Sequence, residues 1–204
     1  MLGVAWIINQ WMPRSAYDPS TFHAEQATRP IPLEMRGGDP HIRALMRTIS
    51  ASESNTAAPY HVIYGGQHVK DLSQHPEICV DIVAGPNVGQ CSTAAGRYQF
   101  LDQTWAIKAK QYHPKGQSLI GFWGDYSFEP QFQDQVVYRW LTDAQAWSGV
   151  NIAELLRQGR TDRVFELLSG TWTSLGYGIE DNVVTPYLTQ HYQEMLQEEL
   201  AAQG

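Results

Sequence analysis

A chain of 204 residues that is 43% hydrophobic, with 17% charged side chains, has the composition of an ordinary globular domain and not of a disordered or fibrous one. Its 14 basic against 21 acidic side chains leave a formal charge of −7. That balance excludes a protein that coats nucleic acid through Lys and Arg contacts to phosphate, and leaves a neutral polysaccharide open.

Residues 1–12 are apolar but too short to span a bilayer, and they lack a basic start and a small-residue cleavage site. No signal peptide is recognisable. Residues 13–38 carry four prolines and two glycines, so residues 1–38 are expected to form an extension, with the domain proper over 39–204. Asp39 and Pro40 suit the cap and first position of a helix, where no backbone donor is needed. Ile42, Leu45, Met46 and Ile49 then repeat along one helical face. Glu53 falls on that same stripe one turn later. A carboxyl at the C-terminal end of a buried face is poorly solvated and meets the negative end of the helix dipole. Both effects favour the protonated form, as a proton donor near neutral pH requires. The competing reading ends the helix near Ala51 and turns Glu53 to water.

Tyr60–Tyr64 is β-branched and aromatic before Gly65-Gly66, and Val80–Val83 is a second extended run, so a β-hairpin is expected between about 58 and 91. Cys79 and Cys91 flank its loop. They can bridge, which would contribute roughly 3 kcal/mol by chain entropy, or stand as two free thiols. Helices are expected after Asp102 (Trp105, Ala109 and Tyr112 inward), after Pro130 (Val136, Val137, Trp140, Leu141, Ala144 and Trp147 inward), after Asn151, after Thr161 and after Thr185-Pro186. The sum is a mostly helical α+β domain with its sheet inserted early.

Gly-rich phosphate loops, G-x-S-x-G and H-E-x-x-H are missing from the sequence. His61, His68 and His75 recur at a spacing that is no metal-binding signature, and no metal or cofactor is expected. The informative segment is Ser92–Phe100. Its small residues before Arg97-Tyr98-Gln99 allow backbone to approach closely, and Gln99 offers both donor and acceptor to a sugar. Glu53-Ser54 followed some forty residues later by Gly96-Arg97-Tyr98-Gln99 resembles the lysozyme-like superfamily. Tyr60–Gly66, Asp71–Pro76, Ser92–Phe100, the helix start Phe128-Glu129-Pro130 with Gln133-Asp134, and Trp172–Gly178 narrow the resemblance to the phage lambda endolysin family of peptidoglycan lytic transglycosylases. It covers about 41 to 180. His61, where the lambda member is acidic, and the altered loop from Val83 to Cys91 depart from it.

The resemblance implies a lysozyme-like fold, with Glu53 as general acid and then base. Ser54, Tyr64, Arg97, Tyr98, Gln99 and Tyr177 would bind substrate. Of these, Ser54 can instead cap the helix, and Arg97 can instead make a surface ion pair. Asp71 reads as a turn residue, and no other second carboxylate is apparent in the matching segments. The implied partner is the glycan strand of bacterial peptidoglycan, engaged by a monomer without nucleic acid or stable membrane insertion. Synthesis in the cytoplasm with holin-type release would bring it there. A hydrolytic muramidase and a non-catalytic wall-binding or virion module are the alternatives.

Overall fold

The first helix, α1 (Pro40–Glu53), is the element against which three later helices and the turn Thr173–Leu175 pack. The structure, a computed structural model, describes residues 30–83, 85, 87–114, 126–177 and 185–203. Residues 1–29 of the expected extension lie outside the described residues. Asp39 caps α1 by accepting from His41 N at 2.8 Å, and Pro40 takes the first position. Ile42, Leu45, Met46 and Ile49 are all fully enclosed, each adding roughly 1.5–3 kcal/mol of hydrophobic burial. Leu33 and Met35, ahead of the helix, join the same core.

The aromatic run Tyr60–Tyr64 departs from the expected strand. It forms two 3-10 turns, Pro59–His61 and Tyr64–Gly66, with isolated bridges from Val62 to His68 and from Ile63 to Ala95. Its backbone groups are satisfied from scattered segments: Tyr64 N donates to Ala94 O, and Tyr60 O accepts from the Gln133 amide. Among the described residues, paired strands are confined to β1 (Val80–Asp81) and β2 (Cys91–Ser92), antiparallel with Val80 opposite Ser92 and Asp81 opposite Cys91. Cys79 and Cys91 are bridged, with Cα atoms 5.3 Å apart, so the two-strand ribbon is closed covalently.

Among the described residues the remaining α-helices are α2 (Asp102–Tyr112), α3 (Pro130–Thr142), α4 (Ile152–Arg157), α5 (Thr161–Leu168) and α6 (Thr185–Ala201). Trp105, Ala109 and Tyr112 face inward on α2, but Asp102 is not its cap: its carboxylate accepts from Thr93 Oγ1 instead. Asn151 does cap α4 by accepting from Glu154 N. Thr161 is the enclosed first residue of α5, with Arg160 at the cap position. On α3, Val136, Val137, Trp140 and Leu141 are buried as expected, yet the helix stops at Thr142. Asp143 caps a new 3-10 turn, Ala144–Trp147, which still delivers Trp147 to the core with its indole donating to Trp140 O. Charge-bearing contacts fasten α6 to α1: Arg43 pairs with Glu199, and Arg47 reaches Glu199 at 3.2 Å and Glu198 at 2.7 Å. Among the described residues, no helix is long and apolar enough to cross a membrane.

Candidate active site

Glu53 is the last residue of α1 and only 2% exposed. Burial pushes its carboxyl from an ordinary value of 4.5 up to about 8, against the pull of a hydrogen bond from Ser174. Ser54 terminates the helix. Its hydroxyl donates to Arg97 O at 2.7 Å, which ties the end of α1 to the Gly96–Gln99 loop.

That loop is a tight reversal between Ala95 and Phe100, whose backbones exchange both hydrogen bonds at 2.9 Å. Gly96 sits at φ +72°, and a Cβ there would stand 2.7 Å from the Phe128 ring and collide with Gln133 Oε1. Only glycine fits. Gln133 accepts from Arg97 N at 2.9 Å and spends its amide nitrogen on Tyr60 O and Phe128 O, so one buried glutamine braces three segments. Gln99 adopts φ +48° and turns its Nε2 to Gly96 O, while its buried Oε1 has no hydrogen-bond partner.

Two residues of this loop differ from their expected placement. Arg97 is neither a surface ion pair nor a cation facing the cleft. It is wholly enclosed, and its guanidinium donates to Ile31 O, Pro32 O and the Tyr60 hydroxyl. Tyr98 is also fully buried, its hydroxyl donating to Asp134 at 2.6 Å. Both side chains point behind the loop. Asp134 accepts there from Tyr60, Tyr98 and the backbone of Glu34 and Met35, a set of donors suited to an enclosed carboxylate.

The third wall comes from the segment after α5. Trp172 donates from its indole to Tyr98 O at 3.1 Å, which brings the following 3-10 turn, Thr173–Leu175, against α1. Ser174 on that turn hydrogen-bonds Glu53 Oε1 and lies 2.9 Å from Ser52 Oγ. Tyr177 follows at φ +60° and is 55% exposed. Tyr64 is buried on the hairpin side, its phenol oxygen without a hydrogen-bond partner. Asp71 is fully exposed and accepts from Ser73 N in a turn, which holds its carboxyl below the usual range.

A family model for endolysins matches residues 43–198. The chain belongs to the endolysin family. Two solved structures carry the same architecture. Bacteriophage lambda lysozyme complexed with a chitohexasaccharide is 25% identical with a TM-score of 0.58, over 79% of this chain and 97% of that one. Lysozyme from bacteriophage lambda is 23% identical with a TM-score of 0.55, over 81% and 97%. No curated protein matches the chain. This endolysin therefore has the α+β lysozyme-like fold and is a lambda-type, peptidoglycan-degrading enzyme.

Within the endolysin site, sequence reasoning missed Ser174 and Gln133. Both lie in segments that carried the family resemblance, but neither residue type announces itself, and Ser174 is 121 positions from the carboxyl it touches. Among the described residues, no three His, Cys, Asp or Glu side chains gather as a metal site. His61 and His75 turn ring nitrogens to Val69 O and Phe100 O.

Proposed function

We propose that this endolysin is a lytic transglycosylase that cleaves the β-1,4 bond between N-acetylmuramic acid and N-acetylglucosamine, with Glu53 as acid and then base. Protonated Glu53 gives its proton to the bridging oxygen as an oxocarbenium-like sugar develops. The carboxylate then takes the proton of the muramic C6 hydroxyl, whose oxygen closes on its own anomeric carbon. The product is a 1,6-anhydro sugar, and no water is consumed.

The observation that carries this reading is one enclosed carboxyl whose proton affinity is raised by burial, with no charged contributor among the described residues. Among the described residues, burial and Ser174 are the influences on it, and no described carboxylate bears on it as two-carboxylate hydrolysis would require. Gln99 Oε1 and the Tyr64 hydroxyl are buried polar atoms that a sugar's N-acetyl or hydroxyl groups would satisfy. The ring of Tyr177 is free to stack on a sugar face. Arg97 and Tyr98 contribute by holding the loop. The complex of lambda lysozyme with a chitohexasaccharide supports a glycan strand as the ligand. The bacterial wall would be the place of action.

Mass analysis of fragments released from purified sacculi tests the outcome. Anhydro ends, lighter by one water than reducing ends, are expected; reducing ends would make the enzyme a hydrolytic muramidase. Glu53→Gln is expected to fold and to release nothing. Substantial release by a folded Glu53→Gln variant would overturn the mechanism.

A further inference from the structure

His75 is buried at the foot of the cleft loop, with both ring nitrogens engaged. Nε2 lies 2.8 Å from Phe100 O, and Nδ1 takes the backbone N–H of Glu77 at 3.1 Å. A carbonyl only accepts and an amide N–H only donates, so the ring is the neutral form with its proton on Nε2. Phe100 O is the same atom that accepts from Ala95 N in the reversal carrying Gly96–Gln99. A second route joins His75 to that loop. Its ring packs edge-on against Phe128 with centroids 4.8 Å apart, and the Phe128 ring is one of the surfaces that leave no room for a side chain at Gly96.

We propose that His75 is a positioning residue that seats the Gly96–Gln99 loop only while its ring is neutral, so that acid releases the loop and shuts turnover down. A proton added at Nδ1 faces the Glu77 N–H donor against donor, and it puts a cation in a site 3% exposed. Glu77 already stands in the left-handed region at φ +54°, which its Cβ disfavours. Ser73, Gln74, Glu77 and Ile78 are exposed, which leaves the segment a way outward. As the ring leaves, Phe100 O loses one of its two donors and Phe128 loses its backing. The Gly96–Gln99 wall then loosens. The inference rests on the reading of that loop as substrate-binding, and it holds for either fate of the sugar, anhydro or hydrolysed.

Among the described residues, the charged groups that act on the ring are Asp102 at the start of α2 and Glu77 on its own segment. Both are carboxylates and favour the imidazolium, as does the bond to Phe100 O. From the segment ahead of α3 the ring meets the uncharged Phe128. Burial outweighs the carboxylates and holds the ring below the ordinary histidine range, so the neutral form is the resident one at neutral pH. The fold keeps this contact above the titration and forfeits it as pH falls through it.

The test is nitrogen-15 NMR of the full chain from about pH 8 down to about pH 4.5, read at the His75 ring and the Gly96–Gln99 amides, beside the pH profile of sacculus turnover. Expected are the Nε2–H tautomer at neutral pH and one shared midpoint for the ring, the loop amides and the acid limb of turnover. Turnover should fall about tenfold for each pH unit below that midpoint, as a single proton requires. Helical circular dichroism should stay constant. His75→Gln keeps a donor and an acceptor but takes up no proton. Its turnover should be lower at neutral pH and should lack the acid limb. Loop amides that ignore the ring, an acid limb that survives in His75→Gln, or unfolding at the ring's midpoint would overturn the proposal. If His75→Gln does not fold, the parent's midpoints decide: coincidence of ring, loop and turnover supports it, and separation rejects it. Gln99→Ala is assayed alongside. Full turnover there would reject the substrate-binding reading of the loop, while the ring and amide shifts still judge His75.

Discussion

Replacing Glu53 by Gln removes a carboxyl that the fold has to bury, charged at high pH, as well as the proposed proton donor. With its carboxyl raised from 4.5 to about 8, the folded chain holds this proton more tightly than the unfolded chain does. Stability on this account is complete below about 4.5, declines as pH rises through the window, and is lost above 8. Glu53→Gln escapes that loss. Each tenfold difference in proton affinity between the folded and unfolded chain is worth roughly 1.4 kcal/mol. Thermal unfolding should therefore show Glu53→Gln near parity with the parent at about pH 5 and more stable by a few kcal/mol at about pH 9. Gly96→Ala should act in the opposite sense. The left-handed backbone and the collision with Phe128 and Gln133 predict a loss of about 2–4 kcal/mol by denaturant titration. Position 96 was readable because glycine signals close approach. The inward turn of Arg97 and Tyr98 was not, since a non-periodic loop carries no pattern that says which side chains face back.

At the level of elements, the α1 motif was legible because cap, proline and apolar stripe agree locally, and α4 was legible through Asn151. The expected small sheet is present through Val80–Asp81, but Tyr60–Tyr64 is not one of its strands, because its strand-like residues take hydrogen-bond partners from Ala94, Gln67 and Gln133, most of them far away in sequence. What remains of the sheet is two residue pairs and a disulfide, so the disulfide should matter more than the strands. Both cysteines are solvent-exposed. Reduction, or the Cys79→Ser/Cys91→Ser pair, is expected to cost about 3 kcal/mol, measured as a drop in Tm with and without reductant. The α1–α6 contact has a different weakness. Arg47→Ala would leave the Glu199 carboxylate, itself 5% exposed, with one fewer partner in the interior. A loss of about 3 kcal/mol is expected, and joint replacement of Arg47 and Glu199 by apolar residues should recover part of it in a double-mutant comparison.

Across the whole molecule, Asp134 joins parts that are remote in sequence: the chain before α1, the aromatic turn and the cleft loop all donate to it. Asp134→Ala should therefore destabilise by about 3 kcal/mol or more while leaving turnover near normal at low temperature, a split that paired melting and activity curves would reveal. Sequence could name Gln133-Asp134 as family-like, but not as the point where these segments meet. It could not find Ser174 either, because that contact exists only after Trp172 has seated the final wall on Tyr98 O.

The inward turn of Arg97 and Tyr98 changes how a mutational scan of this motif should be scored. Lysis plaques at a single warm temperature would group both with Glu53 as indispensable. Repeating the scan in the cold, or in a background carrying stabilising substitutions, should rescue the two anchors and leave the acid as blank as before. A ranking built on lysis alone would mistake scaffolding for chemistry at half of the Gly96–Gln99 motif.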